Sequence, residues 1–276
     1  EFKIDAACPD LVYENFGDHG YVKVVLDAKS AGTLKTNLSD VKDPLLRLML
    51  WTNLWQMVRD QDISISEYAD TLSSQFVQET DLSALKAIVS TISGNRRSDE
   101  DTLIAYWPET PISQKEARGK FIESMEAIYR AKIGAAKAKS DAQAFWWDNY
   151  IRLVHSPKAL ADLRLALSDN SKIPTGLKLD QDRRWAILKR LCRMNDANCL
   201  LLVEQEKIKD NSDRGQNEAL ACQAILPNLA SKTDFIEKAL NANSLSLQKK
   251  AAISRNLFPF EQREFAEKLQ AKYLNY

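Results

Sequence analysis

The residues with the most chemical potential in this chain are Cys192 and Cys199, which lie seven positions apart in the stretch LCRMNDANC. A structural zinc site usually needs four ligands with C-x-x-C-type spacing, and two sulfurs alone do not supply them. A thioredoxin-like redox pair also needs C-x-x-C, which is absent. Two interpretations remain open: a disulfide that closes a helical hairpin, or two unpaired and partly buried thiols.

Residues suited to catalysis are otherwise scarce. The chain has two histidines, His19 and His155, and neither has a partner at metal-ligand spacing. The H-E-x-x-H zinc motif, the glycine-rich phosphate loops and the G-x-S-x-G elbow are all missing from the sequence. Carboxylates are plentiful, but no pair is marked out for acid–base work. We therefore predict no catalytic and no metal-binding residue here, identify no substrate-binding residue, and expect no cofactor in this chain.

Two further clusters are candidates for ligand binding, and each has a structural alternative. Arg183 and Arg184 are placed to grip a carboxylate, or else to bond nearby aspartates and helix carbonyls. Phe145, Trp146 and Tyr150 in FWWDNY are suited to lining a groove, or else to packing between helices. The structural interpretation is favoured for both clusters.

Composition narrows the classes of partner. The chain has 38 basic and 38 acidic residues, which gives no electrostatic reason to expect nucleic acid or an anionic membrane. No stretch approaches the roughly 20 apolar residues of a membrane-spanning helix. The beginning, EFKIDAACPD, has neither an initiator Met nor the apolar run of a signal peptide. We expect the chain to be processed or excised from a longer product.

The elements that must position these residues are predicted to be helices. Gly and Pro number only 8 each, and apolar residues keep helical spacing from about residue 30 onward. Local signals mark helix ends: Asp43 before Pro44, the capping box Ser64 with Glu67, and Gly94 as a C-cap. Short turns between helices predict antiparallel pairs. The predicted fold is all-α, an irregular HEAT-like superhelix of such pairs.

One short strand is predicted ahead of the helices. YVKVVL, residues 21–26, follows the turn signal NFGDHG. A strand needs a neighbour and the rest of the chain offers none, so we expect its partner upstream. The predicted domains are residues 1–29, the tail of a preceding β-sandwich with this lead-in strand, and residues 30–276, the helical superstructure.

Five stretches carry a resemblance to a known family. They occur here in the family's order: PDLVYENFGDHGYVKVVLDAKS, DPLLRLMLWTNLWQMVRDQDISISEYADTL, IPTGLKLDQDRRWAILKRL, IKDNSDRGQNEALACQAILPNLASKTDFIEKALN and LFPFEQREFAEKLQAKYL. The chain resembles the C-terminal helical domain of the aminopeptidase N family of zinc metallopeptidases, bacterial branch, from about residue 9 to the end. Arg183 departs from the pattern, because the family usually has Leu there.

The resemblance implies a function for the parent protein and a lesser one for this piece. The family's zinc site lies in an earlier domain, so the chain would be a non-catalytic domain of a zinc aminopeptidase that removes N-terminal residues from peptides. It would close the active-site chamber and restrict substrate access, and it would meet peptide substrates only through the parent's catalytic domain. The alternative is a free-standing helical-repeat module that binds a protein or peptide.

The resemblance also bears on the cysteines. Secreted relatives carry a cysteine pair at this spacing in a matching hairpin, which favours a disulfide between Cys192 and Cys199. A disulfide implies an oxidising compartment, so the expected location is exported and periplasmic. Cys222 lies on the apolar face ALACQAIL and is predicted to be core, whereas the pairing of Cys8 and Cys222 is left open.

Overall fold

The structure is a computed structural model that describes residues 7–94, 101–241 and 245–274 of the chain. Fourteen α-helices lie within these ranges, so the predicted all-α class is confirmed. The chain divides into two compact units, Glu1–Ser124 and Met125–Tyr276. Residues 1–6 of the predicted lead-in fall outside the described ranges.

The first unit contains five helices and the beginning of a sixth. They are α1 (Ala28–Asn37), α2 (Pro44–Arg59), α3 (Ile65–Gln75), α4 (Leu82–Ser93), α5 (Leu103–Tyr106) and α6 (Ile112–Ala135), the last of which runs across the division between the units. Within this unit α1 packs on α3 and α2 packs on α4. Leu50, Leu72, Phe76 and Ile92 are completely buried between them, which places the core of the unit along these helix pairs.

The helix ends predicted from local signals are confirmed. Asp43 accepts hydrogen bonds from the second and third backbone N–H groups of α2, and Pro44 occupies the first position. Ser64 and Glu67 form the reciprocal capping box of α3. Gly94 ends α4 with φ at +78°, a conformation that glycine adopts without steric cost. These ends depend only on residues adjacent in sequence, which is why the pattern predicts them well.

Eight further helices lie in the second unit. It contains α7 (Asp141–Leu153), α8 (Pro157–Ala166), α9 (Gln181–Arg193), α10 (Cys199–Lys209), α11 (Asp213–Ala224), α12 (Leu229–Asn241), α13 (Leu247–Ser254) and α14 (Arg263–Leu274). The odd-numbered helices follow one another in contact, α7 with α9, α9 with α11 and α11 with α13, while α10 packs on α9 and α11. The predicted packing in pairs is confirmed, and the superhelical course stays a prediction.

The strand prediction for residues 21–26 is wrong. The structure describes these residues fully and assigns no strand to them or to any other described residue. A strand is defined by hydrogen bonds to a neighbour, and helices use their own backbone groups internally, so the described part of the chain supplies no partner. Val24 and Leu26 are buried nonetheless, and Lys23 pairs with Asp60 at 2.5 Å. The domain boundary at residue 29 stays a prediction.

Candidate functional site

Cys192 and Cys199 lie at facing ends of a helical hairpin in the second unit. Cys192 is in the last turn of α9 and Cys199 is the first residue of α10. Their Cα atoms are 5.2 Å apart, within the range a disulfide requires, and the structure joins the two sulfurs. Both residues are almost fully buried. The geometry fits the disulfide interpretation, and the bond in the protein stays a prediction.

The turn between the two helices is held by its own polar residues. Asn195 takes the left-handed conformation, with φ at +59°, which Asn tolerates better than most residues. The carboxylate of Asp196 accepts a hydrogen bond from the backbone N–H of Asn198 at 2.9 Å. It also forms an ion pair with Arg164 at 2.7 Å. The hairpin is therefore anchored to α8 by a side chain of its turn.

A buried cluster surrounds the hairpin and contains a third sulfur. Cys222 of α11 packs in the same core as the Cys192–Cys199 pair and Trp185, and it is free and completely buried, whereas Cys8 is free and exposed. The prediction that Cys222 is core is confirmed. Burial raises the pKa of its thiol to about 12, so the reactive thiolate is scarce at neutral pH.

We expect alkylation to distinguish the four cysteines. In native, unreduced protein at neutral pH only Cys8 should react, because Cys222 is buried and the hairpin sulfurs are joined. After unfolding without reductant, peptide mapping should show Cys222 as the one additional alkylated cysteine. Cys192 and Cys199 should be alkylated only after reduction. Replacing both Cys192 and Cys199 by Ser should lower the free energy of unfolding by about 2.5 kcal/mol with the fold kept. Free alkylation of Cys192 and Cys199 in unreduced protein would contradict the pairing.

The arginine pair of α9 is occupied within the unit. Arg183 donates to Asp148 of α7 at 2.7 Å and to Asp180 at 3.2 Å. Arg184 forms two parallel hydrogen bonds of 2.7 Å with the carboxylate of Glu206. The structural interpretation is confirmed for both, since these guanidinium groups bind neighbouring helices of their own unit.

Glu206 is the centre of that network. Its side chain is 3% exposed and also accepts a hydrogen bond from Gln181 at 2.9 Å. Burial by itself raises the pKa of Glu206, but hydrogen bonds from Arg184 and Gln181 and the nearby positive charges outweigh it, so the pKa lies below its ordinary value. Arg184 also donates to the carbonyl of Leu167 at the end of α8. One buried ion pair thus ties α9 to both α8 and α10.

A second, largely buried carboxylate repeats this arrangement, with 15% of its side chain exposed. Glu261, in the short 3₁₀ turn before α14, receives hydrogen bonds from Arg193, and Arg190 lies 3.6 Å away. Burial alone would raise the pKa of Glu261, and the two guanidinium charges lower it below the ordinary value. Arg190 also donates to the backbone carbonyls at the end of α7, including that of Val154. The last turn of α9 is therefore tied both to the end of α7 and to the turn before α14.

The aromatic stretch of α7 is a packing surface. Trp146 and Tyr150 are about 5% exposed, and Trp146 contacts the ring of Tyr129 edge-on with centroids 5.2 Å apart. The hydroxyl of Tyr150 accepts a hydrogen bond from Arg130 at 2.8 Å. The prediction that these rings pack between helices is confirmed for Trp146 and Tyr150, whereas Phe145 is only partly buried.

The part of the chain that the structure describes has neither a metal-ligand cluster nor a helix suited to crossing a membrane. No group of three or more His, Cys, Asp or Glu side chains there is placed to hold a metal ion. None of the described helices combines the length and the apolar character that crossing a bilayer would take.

Comparison with known proteins identifies the family of this chain. The sequence profile of the family described as "ERAP1-like C-terminal domain" matches residues 11–274. Aminopeptidase N of Streptomyces lividans is 25% identical over 271 residues, which cover 98% of this chain and 30% of that protein. The chain thus spans well under half the length of the curated relative it matches. The resemblance drawn from the sequence motifs is confirmed, and the chain belongs to the ERAP1-like C-terminal domain family.

Proposed function

We propose that this chain is the non-catalytic C-terminal domain of a zinc aminopeptidase that removes N-terminal residues from peptides. The observation that carries the proposal is the family match, which extends over residues 11–274 and so over nearly the whole chain. The relative that covers 98% of this chain is itself an aminopeptidase N, and 70% of its length has no counterpart here. The role we assign to the domain is to close the active-site chamber and restrict substrate access.

The parent's zinc is not assigned to this chain. The described residues offer no cluster of metal-ligating side chains, so they do not fit a catalytic zinc site. Arg183 and Arg184, the candidates for binding a peptide carboxylate, bind Asp148 and Glu206 instead. This supports a scaffolding role, with the metal and its chemistry in another domain.

The lead-in is proposed to belong to a preceding β-sandwich. The backbone groups of residues 21–26 form no hydrogen bond with any described residue, although the sequence YVKVVL favours a strand. Tyr21, Val22 and Val25 are exposed, while Val24 and Leu26 are buried. Open donors and acceptors beside a fixed inner face suit the addition of a strand from a neighbouring domain.

The proposed location is exported and periplasmic. Its support is the geometry of Cys192 and Cys199, because a structural disulfide persists in an oxidising compartment. The proposal depends on the alkylation result described above. Thiols found free in native protein would remove its support.

The experiment compares the chain with its parent. The gene upstream is sequenced, the longer product is expressed, and both proteins are assayed with an aminoacyl-aminomethylcoumarin reporter with and without a chelator. We expect an in-frame H-E-x-x-H segment, chelator-sensitive activity in the longer product and none in the 276-residue chain. Bulky side chains introduced on the exposed helix faces of this domain, within the parent protein, should alter cleavage of long peptides more than cleavage of the reporter.

The outcomes separate the two functions considered. If the 276-residue chain proves to be the entire mature product, the free-standing helical-repeat module replaces the aminopeptidase domain, and titration of the chain with peptide libraries is the next measurement. Chelator-sensitive activity from the purified chain itself would contradict a non-catalytic role.

A further inference from the structure

A lysine is completely buried in the second unit. Lys232 lies in the first turns of α12, on the same helical stripe as Ile236, and both are 0% exposed. Its Nζ donates a hydrogen bond to the carbonyl of Ala224, the last residue of α11, at 3.2 Å. A second donation goes to the carbonyl of Leu257, which follows α13. The amine therefore joins the ends of two helices to a third.

The remaining surroundings are aromatic and uncharged. The rings of Phe258 and Phe265 lie with their centroids 5.6 and 5.9 Å from Nζ. No carboxylate in the described residues pairs with Lys232. Five charged side chains of the neighbouring elements bind elsewhere: Glu218 of α11 to Lys189, Arg214 of α11 to Asp182, Lys249 of α13 to Gln216, Glu261 before α14 to Arg193, and Glu264 of α14 to Lys268.

The contacts suit a neutral amine better than an ammonium. An ammonium has three N–H donors and a charge that the core does not neutralise, whereas an uncharged amine has two donors for the two carbonyls present. The cation–π attraction of the two rings is much smaller than the free energy needed to remove an ammonium from water. Burial accordingly lowers the pKa of Lys232 from 10.5 to about 8.

We propose that Lys232 is a proton-linked clamp, which holds the ends of α11 and α13 in both protonation states and stabilises the second unit more strongly after it releases its proton. The inference is independent of the aminopeptidase function, because it concerns the core of this unit alone.

The direction of the effect follows from linkage. The folded state releases the proton of Lys232 near pH 8, and the unfolded state releases it near pH 10.5. Between these values the unfolded state binds more protons, so stability rises with pH. Below about pH 8 both states carry the proton and the full cost of the buried charge is present. Above about pH 10.5 that cost is gone.

The test compares urea unfolding of the wild type and Lys232→Met across this range, because Met keeps the apolar stem without a titrating group. Relative to Lys232→Met, the unfolding equilibrium constant of the wild type should fall on the order of 100-fold as the pH rises from about 8 to about 10.5. Lys238→Met is the matched control, since Lys238 is exposed on the same helix. It should leave the pH dependence of the wild type unchanged.

A second measurement keeps the test decisive if Lys232→Met does not fold. The Cε resonances of ¹³C-lysine in the wild type are titrated, and Lys232 is identified by its contacts with the ring protons of Phe258 and Phe265. A midpoint near pH 8 is expected. A midpoint at or above 10.5, or parallel pH profiles for wild type and Lys232→Met, would overturn the proposal.

Discussion

Replacing Glu206 by Ala is expected to lower the free energy of unfolding of the second unit by about 3–5 kcal/mol. The change leaves the guanidinium of Arg184 without its bidentate partner in a largely buried position. The hydrogen bond from Gln181 is lost as well. Urea unfolding at neutral pH, followed by tryptophan fluorescence, measures the difference.

The control for this substitution lies on the same helix. Glu204→Ala removes an exposed carboxylate, whose contact with Lys207 is also exposed, and should change stability by less than about 0.5 kcal/mol. The double variant Glu206→Ala with Arg184→Ala should lose less than the sum of its two single variants, because the second change removes the stranded charge. A loss below about 1 kcal/mol in Glu206→Ala would show that the buried pair contributes little.

Gly215→Ala is expected to destabilise the chain by about 1–3 kcal/mol, although a glycine-to-alanine change inside a helix ordinarily stabilises. A Cβ on Gly215 in α11 would overlap the backbone carbonyl oxygen of Asp210 and lie 2.6 Å from its Cγ. Asp210 has little freedom to move, because its carboxylate accepts hydrogen bonds from Trp185 at 2.8 Å and Ser212 at 2.6 Å. Thermal and urea unfolding measure the loss.

Gly134→Ala is the matched control. Gly134 is also helical, in α6, and a Cβ there meets no atom within 4 Å. The replacement should raise the free energy of unfolding by about 0.5–1 kcal/mol, because alanine loses less conformational freedom than glycine when the helix forms. Equal effects at the two positions would mean that Gly215 and Asp210 are farther apart in the protein than this close contact requires.

The sequence predicts the helix ends and the packing class because both depend on residues close in the chain. It did not predict the buried charges, because Arg184 and Glu206 are 22 positions apart. A signal was nevertheless present: Glu206 follows Cys199 by seven positions and Val203 by three, so it falls on the buried stripe of α10. Lys232 likewise precedes the buried Ile236 by four positions. A charged residue at a core position of a helix therefore predicts a hydrogen-bonding group buried beside it, a guanidinium for Glu206 and backbone carbonyls for Lys232.

The strand prediction for residues 21–26 failed because a strand depends on a partner distant in the sequence. The composition of residues 21–26 favours a strand, but pairing requires a second segment, and no local pattern reports whether one is in reach. The cysteine spacing lies between these cases. It restricts the separation of Cys192 and Cys199 once both are assigned to helix ends, yet the choice between bonded and free sulfurs depends on the redox conditions around the protein.

The backbone of residues 21–26 forms no hydrogen bond with any described residue, and this affects how the isolated chain behaves at high concentration. Exposed Tyr21, Val22 and Val25 stand beside these donors and acceptors, a combination that templates edge-to-edge association between identical molecules. The one charge in the segment, Lys23, is drawn toward Asp60 and gives less repulsion between copies than a free lysine. We therefore expect concentrated solutions of the isolated chain to associate through this segment.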